Sequence, residues 1–185
     1  MGYVTAPTEL NRLNQVELLG QTQEEPQHAG WLRRHFHKYR LFGPWTFCWR
    51  ITIEGLIVSL ATAIPLGLFG LADRKFRMSY EQLFIFAVFV APILETLLFQ
   101  AFPVFIARWF RAAFRTQVAI ATTVFALAHI PDGFGAFVAA GIVGGFYYGF
   151  TYVHWRERAR WTAFWVTALS HSLHNLCIML ILLWD

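Results

Sequence analysis

The feature that most limits what this chain can fold into is a series of long apolar runs, with the charge gathered between them. The runs cover about Phe47–Ala72, Gln82–Ala107, Thr116–Ile130, Phe134–Val153 and Trp161–Trp184. A helix that crosses the hydrocarbon core needs roughly 20 predominantly apolar residues. The run from Thr116 falls short of that unless the turn at Ala112–Phe114 extends it. Barrel strands would be nearer ten residues and would alternate apolar with polar, which these runs do not. Backbone groups in hydrocarbon must find partners within their own segment, so such runs fold as helices. The expected fold is an all-α integral membrane protein, a bundle of about five transmembrane helices.

Composition narrows the function classes. Of the 185 residues, 57% are hydrophobic and only 14% charged, against about 25% charged in ordinary soluble domains. A disordered chain, a disulfide scaffold and a soluble nucleic-acid binder are excluded. Cys48 and Cys177 lie in or beside apolar runs, without metal-type spacing. The net charge of +4 comes from basic residues placed between the runs, where membrane orientation requires them.

Two regions are expected. Residues 1–45 form a polar tail and a basic-aromatic interfacial segment, and residues 46–185 the transmembrane domain. The first 30 residues have no continuous apolar core, so they are not a secretory signal peptide, and a flexible or partly helical tail is expected. Arg33, Arg34, Lys38 and Arg40 lie among aromatic residues, a mixture suited to headgroups. RNA binding competes for the same residues, but the greasy segment that follows directly favours the bilayer as partner and no nucleic acid.

Basic residues also orient the bundle. A cytoplasmic N-terminus puts Arg108, Arg111 and Arg115 inside, together with Arg156, Arg158 and Arg160. It leaves only Arg74, Lys75 and Arg77 outside, in keeping with the positive-inside rule. Trp45, Trp49, Trp109, Trp155, Trp161 and Trp184 fall near run ends, as an interfacial belt does. The expected location is the bacterial plasma (inner) membrane, with the N-terminus cytoplasmic and the C-terminus external.

Ionisable residues inside a bilayer are costly and are functional candidates by default. Counted at 1.5 Å per residue from the basic boundaries, Glu95 lies roughly 20 Å deep, His129 roughly 21 Å, His171 roughly 16 Å and Asn175 roughly 22 Å. Three helices thus bring polar groups to one layer. A single intramembrane His or Asn often serves only to hydrogen-bond a neighbouring helix; four at one depth point to a site. His174 is ambiguous. Glu54, one turn from Arg50, reads as an interfacial or interhelical pair.

Glu95 with Phe99, then Phe125-x-x-x-His129, then His171-x-x-x-Asn175 resembles the CAAX-protease and bacteriocin-processing family of intramembrane proteases. The resemblance covers about residues 82–180. The family's first motif is usually Glu-Glu-x-x-x-Arg; here Thr96 stands at the second Glu and Gln100 at the Arg. That exchange removes one negative and one positive charge together, a coherent variant, since either charge alone would be expensive to bury.

The resemblance implies a glutamate-activated water. A carboxylate in a low-dielectric cavity becomes a better base, which makes Glu95 the candidate base, with His129 helping to hold the water. His171 and Asn175, on one helix face, can donate to a developing oxyanion. No cofactor is expected. Zinc held by Glu95, His129 and His171 is the alternative. The expected function is intramembrane cleavage of a membrane-associated protein or peptide. The alternatives are a catalytically silent protease-like subunit that binds or stabilises a partner complex, and a transporter or proton relay. A relay calls for polar residues continuing to both faces, whereas these cluster in one layer. Gly141, Gly145 and Gly149 form a smooth helix face for close packing, and Pro92 is placed to kink its helix beside Glu95.

Overall fold

The computed structural model describes residues 35–71 and 78–182. The polar tail, Arg33, Arg34, Arg74, Lys75, Arg77, Trp184 and Asp185 lie outside the described residues. The chain divides into two units, residues 1–41 and 42–185. In the first, a 3-10 turn spans Lys38–Leu41, and the Lys38 ammonium lies 5.6 Å from the centre of the Tyr39 ring.

The second unit is built from five helices among its described residues. They are α1 (Pro44–Leu68), α2 (Tyr80–Trp109), α3 (Phe114–Ala128), α4 (Ala136–Arg156) and α5 (Arg160–Leu182). Four are long and apolar enough to cross a membrane, and α3 is apolar but shorter. This is an all-helical integral membrane protein. Each helix begins where the backbone can afford it. Pro44 starts α1 at a position whose N–H is unused in any helix. Ser79 and Gln82 close a reciprocal capping box on α2.

Burial identifies the centre of the bundle. In its most apolar stretch α4 is 61% buried, against 22% in α1 and 28% in α2. The rest of the bundle therefore wraps α4, while α1 and α2 turn side chains such as Ile57, Phe89 and Leu97 outward. An outward apolar surface is what hydrocarbon accepts. The glycines explain how closely α4 is held. A Cβ on Gly141 would come within 2.9 Å of the Ala126 Cα, one on Gly145 within 3.2 Å of the Phe125 Cβ, and one on Gly149 within 3.3 Å of the Ala121 Cβ. The small-residue face of α4 therefore lies directly on α3.

Three irregularities shape the interior, one of them the π-helical first half of α4, Ala136–Gly144. At about 1.5 Å per residue, the 15 residues of α3 reach only some 22 Å, short of a core about 30 Å thick. The helix ends at bilayer depth, and His129 occupies its C-terminal cap. In α2, π-helical turns at Phe86–Val90 and Thr96–Ala101 interrupt the α-helix. The Ala91 N–H bonds the Phe86 carbonyl, five residues back. The next residue, Pro92, has no N–H to offer the Ala87 carbonyl. One carbonyl of α2 is thereby freed inside the bundle.

Glu54 meets a partner on another helix. The Tyr147 hydroxyl of α4 donates to Glu54 Oε1 at 3.1 Å, while the Arg50 guanidinium lies 4.5 Å from the centre of the Phe42 ring. The residue joins α1 to α4, away from the cavity described next.

Candidate active site

A cavity of about 160 Å³ opens among α2, α3, α4 and α5. Glu95, His129, His171 and Asn175 all line it, and so does His174. Across it α2 meets α5, where His171 Nε2 lies 3.7 Å from Glu95 Oε2. That is slightly longer than a direct hydrogen bond and leaves one small adjustment to make it. His171 is almost fully enclosed, its side chain 6% exposed, whereas the Glu95 side chain is 25% exposed.

His129 owes its orientation to the end of α3. Its backbone N–H bonds Ala126 O, tightening the last turn, and its ring Nδ1 takes the Phe125 carbonyl at 2.9 Å. A carbonyl only accepts, so Nδ1 carries the hydrogen. In the neutral ring Nε2 is then the acceptor. The ring also stacks on Phe125, with centroids 4.6 Å apart. This histidine is fixed at both the backbone and the ring.

Asn175 is engaged differently from the expectation. Its Nδ2 donates to the Ala87 carbonyl at 2.8 Å, the carbonyl that Pro92 leaves without its helical partner. Asn175 therefore closes a gap in α2 and ties α5 to it. An amide nitrogen carries two hydrogens, so this bond engages one of them.

Tyr148 was not singled out from the sequence. Its ring stacks on His171, with centroids 4.2 Å apart and planes inclined by 23°, and it meets His174 edge-on at 6.1 Å. The room for it comes from Gly144, where a Cβ would stand 3.3 Å from the ring. Two adjacent phenols, Tyr147 and Tyr148, within a turn of that glycine were the available signal. Thr96 and Gln100 are both buried in the second π-helical turn, each 1% exposed.

The zinc alternative can be tested on the geometry. Among the described residues, no three His, Cys, Asp or Glu side chains are grouped so as to hold one ion. Glu95, His129 and His171 are not grouped in that way.

A carboxylate and histidines from three helices of this glycine-packed bundle thus line one cavity. Residues 79–177, more than half of the chain, match the family described as type II CAAX prenyl endopeptidase Rce1-like, and the chain belongs to that family. No curated protein and no solved structure matches it.

Proposed function

We propose that this protein is an intramembrane endopeptidase that cleaves a membrane-associated protein or peptide with a water activated by Glu95. The observation that carries the reading is the 3.7 Å approach of Glu95 to His171 across a cavity that His129 also lines. Glu95 takes a proton from water as the oxygen attacks the scissile carbonyl carbon. His129 Nε2, an acceptor in the neutral ring, steadies the same water. The carbonyl oxygen becomes an oxyanion, and His171, with the second amide hydrogen of Asn175, donates to it. When the C–N bond breaks, Glu95 returns its proton to the leaving amine, so no proton is gained or lost over the cycle.

A cavity of this size has room for water and a peptide group but not for a folded chain. The substrate must present an extended segment at bilayer depth. Orientation follows from charge. Arg108 and Arg160 both lie near Arg156, which gathers the ends of α2 and α4 and the start of α5 into one basic face. The positive-inside rule assigns that face to the cytoplasm, and we take the membrane to be the bacterial inner membrane.

Two observations favour the silent, partner-binding alternative. Thr96 and Gln100 supply no charge beside Glu95, and one Asn175 hydrogen is already committed to Ala87. A cleavage assay in membranes separates the readings. The wild type cleaves and Glu95→Ala does not if the protein is an endopeptidase, whereas neither form cleaves if the cavity only docks a subunit.

A further inference from the structure

Three polar side chains near the cavity have no part in that chemistry. Thr96 and Gln100 are 1% exposed and Thr167 is 0% exposed. Thr96 Oγ1, Gln100 Oε1, Gln100 Nε2 and Thr167 Oγ1 make no hydrogen bond within the chain. Other threonines show what this fold does with a hydroxyl inside a helix. Thr62, Thr122 and Thr151 donate to the carbonyl four residues back, at 2.8, 2.9 and 2.7 Å. Thr96 and Thr167 leave that bond unmade.

Their placement relates all three. The Ala87–Asn175 and Glu95–His171 contacts run in opposite chain order, so α2 and α5 are antiparallel. One turn beyond the second contact comes Gln100 on α2, and one turn before His171 comes Thr167 on α5. The turn on α2 is π-helical, about five residues, and the turn on α5 is α-helical, about four. Both steps lead toward the same end of the bundle. Thr96 shares the π-helical segment Thr96–Ala101 with Gln100. Toward that end Tyr152 lies near Arg156, with Arg108 and Arg160 close by.

We infer that Thr96, Gln100 and Thr167 form a buried hydration site one turn to the basic side of the Glu95–His171 pair, and that its ordered water supplies the hydrolysis. The ligand class follows from the donors and acceptors. Three neutral side chains offer both kinds of group, and water is both. An ion would find no opposite formal charge among them. In hydrocarbon an unmade hydrogen bond is costly, and a buried water held by two to four polar partners is the usual way to satisfy such groups. Each peptide bond cleaved consumes one water, which within a bilayer must arrive through the protein. Polar groups on that side include Tyr152 and the arginines near it. Occupancy by water stands on the side chains alone; the supply role rests on the endopeptidase reading.

The test is an experimental structure of the full chain in lipid nanodiscs that resolves ordered water, alongside a Thr96→Val/Gln100→Leu variant. The expected result is density within about 3 Å of the Gln100 amide and of at least one of the two hydroxyls, absent in the variant. Apolar replacements of similar shape leave folding nearly unchanged. The variant should lower kcat about tenfold with KM unchanged, the effect of losing about one ordered-water contact. A direct Thr96–Gln100 hydrogen bond with no density between α2 and α5 overturns the site. Density with undiminished cleavage by the variant overturns the supply role. Absence of cleavage by the wild-type protein defeats the endopeptidase reading and leaves the density unaffected, so the two failures are distinct.

Discussion

The Tyr148 ring lies 4.2 Å from the His171 ring and within 23° of parallel to it, so α4 sets the plane in which α5 presents its histidine. Replacing the ring should loosen that plane. Tyr148→Phe keeps the stack and is expected to retain cleavage. Tyr148→Ala is expected to lower kcat by at least about tenfold, because a small displacement of a catalytic group is costly in rate. It should also destabilise the fold by about 3–5 kcal/mol through the cavity it leaves. Steady-state kinetics with thermal unfolding in bicelles separate the two effects.

The bond from Asn175 to the Ala87 carbonyl gives a coupled prediction. Asn175→Ala should destabilise the bundle by about 1–2 kcal/mol, the range for polar contacts between membrane helices. Pro92→Ala supplies an N–H where the π-helical register needs one, and should recover much of that loss in the double variant. Additive losses in a double-mutant cycle contradict this account.

These two contacts also mark where sequence reading stops. Four of the five helices were legible because apolarity persisted over lengths that only a membrane helix uses, and α3 by a shorter continuous apolar run. Counting from the basic boundaries put Glu95, His129, His171 and Asn175 at one depth, and all four line one cavity; their chemical roles are a separate question. The π-helical turns of α2 were hidden, because a register change of one residue leaves no mark in hydropathy. Pro92 hinted at a freed carbonyl, but only the rotation of α5 against α2 determines that Asn175 answers it. The pairing of Glu54 with Tyr147 was hidden for the same reason: helix rotation is fixed by packing.

Thr96 and Gln100 predict a charge-coupling effect. Both sites are sealed, so Thr96→Glu or Gln100→Arg alone buries an uncompensated charge and should cost about 3–5 kcal/mol. The double variant places opposite charges on one π-helical segment and should regain most of that stability. Yield of folded protein after membrane extraction and its melting temperature provide the measurement. Singles as stable as wild type contradict the enclosure described here.

Gly141 packs against the backbone of α3, with the Ala126 Cα 2.9 Å from any added Cβ. Gly141→Ala should therefore destabilise the bundle by about 1–3 kcal/mol. Gly43 has nothing within 4 Å of an added Cβ, so Gly43→Ala should stay within about 0.5 kcal/mol of wild type. Equal effects at the two positions would remove the argument that α4 is held by contact with α3.

The central claim is that Glu95 activates the water. Glu95→Gln preserves the shape and hydrogen-bonding capacity of the side chain but cannot take up the proton. The direct measurement is the appearance of new peptide termini, scored by mass spectrometry, in membranes that contain either form at equal abundance. The expected result is a folded, normally expressed Glu95→Gln protein with no cleavage above background. Cleavage at the wild-type rate by that variant would contradict the account.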